Sequence, residues 1–315
     1  MGKPNLGKDR IPVQNPNWDS WSYRLGCPVW GCKEWAGKIY PKGIASEHLL
    51  TWYSYSFPTV EGNSTFYSVP DADTFRRWRD QSADGFQFSL KFPRSISHDR
   101  MLDWCDDLLR EWLARLEILR DANKLGPTFL QLGPSFSFHH FERLRKFLFQ
   151  LPIDWPWAVE VRHRDWFDQS RCEDQLQTLL ASRNIDQVLF DSRPLNSLAP
   201  SDATEQASQV RKPKSPFRAT VTGRRPMVRL IGRNDPTEVT EYWEEWAERI
   251  ANWIGAGLEP WIFTHAPDDR YAPELASAFH AEMKKRIPSL PDLPWPANQE
   301  ASSSGSAGYK QLELF

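Results

Sequence analysis

Short runs rich in β-branched and aromatic residues alternate along the chain with longer stretches whose apolar positions recur every three or four residues. The short runs predict strands at Leu25–Cys32, Thr59–Asn63, Phe86–Phe92, Thr128–Leu132, Trp157–Arg162, Gln187–Asp191, Met227–Ile231 and Pro260–His265. Helical patterns fall between and after them, at Ala45–Tyr55, Ala72–Gln81, Arg100–Lys124, Phe138–Phe149, Gln169–Arg183, Pro236–Ile254 and Ala272–Lys285. Within Arg100–Lys124, the residues Leu102, Leu109, Leu113, Leu116 and Leu119 form the apolar stripe, with charges between them. Asp71 and Asp73 stand where helix caps are expected, and Pro236 suits a first helical turn. Ser192–Arg225 carries no periodicity where a sixth helix is due, and reads as an irregular insertion or a lid.

Strands alternating with helices in this way predict an α/β fold: a single TIM-like (β/α)8 barrel with an irregular sixth β/α unit. No Gly-x-Gly-x-x-Gly follows the first strand, and there is no phosphate-binding Gly-x-x-x-x-Gly-Lys-Ser/Thr loop, so an open nucleotide-binding sheet is disfavoured.

A length of 315 residues suits one barrel with extensions, and 40% hydrophobic residues supply an ordinary core. The 16 tryptophans are abundant enough to raise sugar or base stacking, although packing is the simpler use. A net charge of −2 gives no global attraction to nucleic acid or anionic membrane. No apolar run spans a bilayer and no signal-peptide pattern opens the chain. The spacing of Cys27, Cys32, Cys105 and Cys172 matches neither a zinc ribbon nor a redox pair. Free thiols in a cytoplasmic protein are expected.

Barrel chemistry sits where the strands end, and the strand ends here are polar. Glu61 and Asn63 close the second strand, Lys91 the third and Gln131 the fourth. Glu160, Arg162 and His163 follow on the fifth, Asp191 on the sixth, Arg229 on the seventh and His265 on the eighth. Residues two apart share a face, so Glu61 points with Asn63, and Glu160 with Arg162. Charges inside buried strands must compensate one another, which a structural ion-pair network would do. So many contributing strands point instead to acid–base work on, or recognition of, an anionic group. Glu61, Glu160, Lys91, Asp191 and His163 are the catalytic candidates. No cofactor is expected. A divalent metal on Glu61, Glu160, Asp191, His163 and His265 is disfavoured, because no ligand spacing supports it and basic neighbours compete.

The same residues sit in blocks that resemble the YecE-like proteins (domain of unknown function 72). The blocks are Trp35-Ala36-Gly37 with Tyr40-Pro41, and Glu61-Gly62-Asn63-Ser64-Thr65-Phe66-Tyr67. They continue with Ser89-Leu90-Lys91-Phe92-Pro93, Ile96-Ser97-His98, Leu130-Gln131-Leu132-Gly133-Pro134, Glu160-Val161-Arg162-His163 with Trp166, and Val228-Arg229-Leu230. The resemblance implies a TIM-like barrel and no reaction. Ile231-Gly232 and Phe263-Thr264-His265 depart from the family's commoner His-Gly and Phe-Asn-Asn. Asn63, Gln131, Arg162, Trp166, Arg229, His265 and Trp35 are the substrate-binding candidates.

The expected layout is a flexible arm over 1–20, the barrel over 21–290, a linker over 291–308 and a terminal peptide over 309–315 in a disordered tail. Gln311, Leu312, Leu314 and Phe315, with Glu313 between, resemble the peptide by which bacterial replication and repair proteins dock on the sliding clamp. The leading expectation is therefore an enzyme acting on DNA or on a nucleotide- or sugar-phosphate-like substrate, brought to the clamp by its tail. A carbohydrate-active hydrolase or isomerase, or a non-enzymatic clamp adaptor, are the alternatives.

Overall fold

A computed structural model describes residues 15–295 of the chain. The terminal peptide, most of the expected arm and most of the linker lie outside the described residues. Eight strands overlap the eight expected runs: β1 (Arg24–Gly26), β2 (Thr59–Gly62), β3 (Gln87–Leu90), β4 (Thr128–Gln131), β5 (Trp157–Glu160), β6 (Asp186–Asp191), β7 (Met227–Ile231) and β8 (Trp261–His265), with β1 taking only Leu25 and Gly26 of the expected Leu25–Cys32. All pairings are parallel.

The hydrogen-bonded pattern differs from the expected single closed ring. Six strands form one curled sheet in the order β1-β8-β7-β6-β5-β4, while β2 and β3 pair as a separate ladder. Backbone bonds still cross both seams. Glu61 N donates to Cys27 O at 3.0 Å, and Phe92 N donates to Phe129 O at 3.0 Å. Prolines border the seams at positions 28, 58 and 127, where each removes a ladder donor. At the first seam, Gly26 permits a close approach: a Cβ there would lie 2.3 Å from the Thr59 carbonyl oxygen.

Alternation along the strands sorts the core into two layers. Phe129, Ala158, Val188, Met227, Trp261 and Phe263 pack together on the face that the sheet curls around. Leu130, Val159, Leu189, Val228 and Ile262 face the other way, into the large cluster shared with the helices.

The helices are α1 (Leu49–Ser56), the single turn α2 (Ser64–Tyr67), α3 (Ala72–Gln81), α4 (Asp106–Arg120), α5 (Phe141–Gln150), α6 (Arg171–Ser182), α7 (Ala203–Arg211), α8 (Thr240–Gly255) and α9 (Ala272–Arg286). Asp71 caps α3 by accepting from Thr74 N at 2.8 Å. Asp73 lies inside the first turn instead, and Pro236 opens a short 3-10 turn ahead of α8.

Two stretches depart from the pattern reading. The expected helix Arg100–Lys124 starts only at Asp106. Ahead of it Ser95–Asp99 winds as a wide π turn, and Met101, Leu102 and Trp104 adopt left-handed φ of 48°, 65° and 48°. Leu102 is buried without being helical, so the leucine stripe extends past the true helix.

The second is Ser192–Arg225, which contains α7, capped by Asp202 accepting from Glu205 N at 2.8 Å. This helix has no apolar stripe to lay on the outer face of the sheet. It sits at the strand C-terminal side instead. There the buried Glu205 binds Arg233, just beyond β7, at 2.8 Å. The chain after it covers the vacated outer face, with the Phe217 ring 5.6 Å from Trp246 and Arg218 bonded to Glu173 at 2.7 Å.

Packing also reaches past the expected domain limits. Trp18 donates to Ser54 O, and Trp295 donates to Ser56 O, both from buried positions.

Candidate functional site

Arg229 is the hub of the strand-end mouth. From the middle of β7 its guanidinium grips both oxygens of Glu61 at 2.8 Å and one oxygen of Glu160 at 2.6 Å. The rings of Phe129 and Phe190 lie 5.4 and 5.6 Å from it. The other Glu160 oxygen pairs with Arg162, which also reaches Gln131 Oε1 at 3.3 Å. Asn63 donates to Glu61 Oε1 at 2.8 Å, and His265 Nε2 lies 3.1 Å from Glu61 Oε2. Seven of the expected residues, Glu61, Asn63, Gln131, Glu160, Arg162, Arg229 and His265, are thus one connected network.

Lys91 enters the same mouth without joining that network. Its Nζ lies 3.9 Å over the Phe66 ring and has no hydrogen-bond or ion-pair partner among the described residues.

Four expected residues are elsewhere. Asp191 faces outward, since its neighbour Phe190 faces in; it accepts from Trp246 of α8 at 2.9 Å and pairs with Arg193 at 2.8 Å. His163, one residue past Arg162, caps a 3-10 turn by accepting from Asp165 N. Trp166 is buried against Phe138 and donates to Phe136 O at 2.7 Å. Trp35 is buried against Tyr53 and donates to Asp269 O at 3.0 Å. Both tryptophans hold loops in place.

The electrostatics follow from the contacts. Burial pushes the Glu61 carboxyl up, but Arg229 and the His265 hydrogen bond outweigh it and hold the group well below the usual carboxylate range. Glu160 is also lowered, with burial opposed by Arg162, Arg229 and Lys91. Both glutamates are therefore anchored anions with no proton to give near neutral pH. Burial brings His265 down to about 4, so it is neutral and donates Nε2–H to Glu61. Burial and the Arg229 charge lower Lys91 to about 8.

Two residues that pattern reading passed over belong here. Lys212 follows the C-terminal end of α7. Burial and the charge of Arg229 lower it to about 8, and Glu61 also acts on it. Its backbone N donates to Ser208 O at 2.8 Å, while its Nζ has no hydrogen-bond or ion-pair partner among the described residues. The segment around it is rich in Ser, Pro and Lys, and carries no signal that would place it. His98, in the π turn, stacks edge-on against Phe66 with centroids 4.9 Å apart. Its only signal was its place in a family block.

Four cations, Arg162, Arg229, Lys91 and Lys212, thus face two carboxylates, with Asp269 a third acid within the field of Lys212. A cavity of about 660 Å³ adjoins the mouth, lined by Pro28, Trp30, Glu34, Asn63, Thr204 and Asp269 among others. Asn63 links this cavity to Glu61. Among the described residues no three His, Cys, Asp or Glu side chains come together as a metal site. No helix among them is long and apolar enough to cross a membrane.

The family model for "Protein of unknown function DUF72" matches residues 24–300. The chain belongs to the DUF72 family. Its curated relatives include the UPF0759 protein YecE of Escherichia coli O157:H7, 36% identical over 270 residues, which span 86% of this chain and 96% of that relative. The UPF0759 protein YunF of Bacillus subtilis (strain 168) is 29% identical over 170 residues, spanning 52% of this chain and 59% of YunF. Among solved structures, a DUF72 protein of Enterococcus faecalis V583 superposes with a TM-score of 0.62 at 18% identity, covering 85% of this chain and 98% of that one. One from Thermotoga maritima MSB8 gives 0.59 at 20% identity, covering 85% and 99%. These structural likenesses show the DUF72 fold and leave its chemistry to the site.

Proposed function

We propose that this DUF72 chain is an enzyme that takes up a small organic anion, of the charge and size of a sugar phosphate or nucleotide, at the strand-end mouth. The observation that carries the reading is the pair Lys91 and Lys212. Glu61 and Glu160 are already neutralised by Arg229 and Arg162, so both ammonium groups are left to meet a ligand. The six-stranded sheet and the β2–β3 ladder work in this reading as one (β/α)8 barrel, supported by the backbone bonds across both seams. A carbohydrate hydrolase is disfavoured, because that chemistry needs one carboxyl protonated and Arg229 holds both ionised.

Calorimetry tests the proposal. Ribose 5-phosphate and inorganic phosphate should bind, and free ribose should not. The Lys91→Ala/Lys212→Ala double variant should lose that binding while melting normally. Equal binding of ribose and ribose 5-phosphate would overturn it.

The same proposal places the protein in the cytoplasm, which its four free cysteines support. It also has Gln311, Leu312, Leu314 and Phe315 dock on the bacterial sliding clamp, giving access to DNA by tethering rather than by net charge. These residues lie outside the described part. A peptide of the last ten residues should bind clamp, and replacing Leu314 and Phe315 by Ala should abolish the binding. An inactive wild-type peptide removes the link to DNA.

A further inference from the structure

We propose that Lys91 forms an imine with its substrate: its amine, set on the end of β3 against Phe66 with no carboxylate partner, condenses with the carbonyl of an anionic aldehyde or ketone. This rests on the anion-binding reading and narrows its substrate class.

The geometry begins with the backbone. Lys91 N donates to Gly62 O at 3.1 Å, and Lys91 O accepts from Thr65 Oγ1 at 2.7 Å, so the base of the side chain is fixed. The residue is only 8% exposed. A lysine held by a carboxylate keeps its proton, whereas one buried without such a partner and pressed by neighbouring arginines gives it up more readily. The two carboxylates within reach of its field are both gripped by arginine. A free lone pair is what attack on a carbonyl requires, and a lysine titrating at about 8 has a substantial neutral fraction at pH 7.5.

Condensation also needs a group that moves protons, and His98, on which the Lys91 charge acts, is assigned that role. It shares the Phe66 ring with Lys91. Ser97 Oγ donates its one proton to Pro93 O at 3.1 Å, so at 2.9 Å it accepts from His98 Nδ1–H. That fixes the tautomer and leaves Nε2 a bare acceptor, with no partner among the described residues. Burial and the Lys91 charge lower the imidazole's proton affinity, so it is neutral at pH 7. Gly133 lets the ring approach the backbone: a Cβ there would come within 3.3 Å of it.

The step balances without a further reagent. The Lys91 lone pair forms the C–N bond as the carbonyl π pair moves to oxygen, which takes a proton from solvent to become a hydroxyl. His98 Nε2 takes a proton from the new ammonium and returns it to the hydroxyl. The C–O bond then breaks as water leaves, and the remaining N–H proton departs to solvent. Lys212, the other cation left uncompensated, holds the substrate's anionic group.

The test is reductive trapping on the full-length protein. Pyruvate or ribose 5-phosphate is added with cyanoborohydride at pH 7.5, and the adduct is located by peptide mass mapping. The expected result is labelling of Lys91 at least about tenfold faster than any exposed lysine, whose higher pKa leaves far less free amine. Uncharged acetone should label it at least about tenfold more slowly, since it forgoes charge-assisted bonds. Inorganic phosphate should protect it. His98→Ala should slow the labelling by about a hundredfold while leaving phosphate affinity intact, the signature of a proton carrier rather than a structural part. Label spread over exposed lysines with Lys91 not ahead, in protein that still binds phosphate, overturns the imine and spares the anion site. If phosphate does not bind either, both fall.

Discussion

Two buried arginines four residues apart, Arg229 and Arg233, have opposite surroundings. Arg233 pairs with Glu205 and Glu238 and donates to the carbonyls of Leu198 and Ala199 at 3.2 and 3.0 Å. The oxygens of Glu205 also take Ser201 N and Asn234 N. Every group there is answered, and the result is a clasp holding α7 to the loop after β7. Arg229 also binds two glutamates, yet Arg162, Lys91 and Lys212 crowd around the same pair. A buried ion pair is therefore not in itself a mark of function. An excess of one sign around it, as at Arg229, is the feature on which the proposed anion binding rests.

The largest effects should come from the arginines themselves. Arg229→Met and Arg233→Met each strand buried carboxylates, and each should cost about 3–5 kcal/mol in denaturant unfolding. In Arg233→Met the folded fraction should keep its phosphate affinity. A parallel loss of affinity there would erase the contrast between the two sites.

Next is Lys91→Met, which removes a buried, unpartnered ammonium. Stability should hold or rise, while phosphate affinity falls about 10- to 100-fold, the worth of one charge-assisted hydrogen bond. Destabilisation instead would make Lys91 a structural residue.

The pH dependence sharpens the same point. Lys91 titrates at about 8 in the fold against its ordinary 10.5. The unfolded chain therefore binds the extra proton between those values, and the contribution of Lys91 to stability improves as pH rises across them. Anion affinity runs the other way, falling above about pH 8 as Lys91 and Lys212 discharge. Titration calorimetry and melting at matched pH should show the two trends crossing. Smallest is Lys212→Ala, a severalfold loss of affinity, since its partly exposed charge is screened by solvent.

Much of this was legible in the chain. Buried parallel strands leave unbroken β-branched and aromatic runs, and all eight were placed by them. Polar residues interrupting those runs marked the mouth, and Glu61, Glu160, Arg162 and Arg229 meet there. Facing was harder. Asp191 ends its strand as the others do, but the inward Phe190 turns it out to Trp246. Trp35 and Trp166 could not be told from ligand-stacking tryptophans until their indole N–H groups were seen bonded to loop carbonyls. Lys212 had no legible signal, because a helix without an apolar stripe goes wherever its polar contacts take it, and those are formed with residues distant in sequence.

The seams between the two sheets divide the site. Glu61 lies on the β2–β3 ladder and Lys91 directly follows it, bridged at the seam to Phe129, whereas Glu160 and Arg229 belong to the six-stranded sheet. The Arg229 grip on Glu61 is a side-chain rivet across that divide, beside sparse backbone bonding. A ligand held by Lys91 after β3 and by Lys212, between β6 and β7, would be a second rivet. Its binding should slow amide hydrogen exchange along β2 and β3 more than along β7. Tight binding and a shut barrel would then be the same event, measured from two ends.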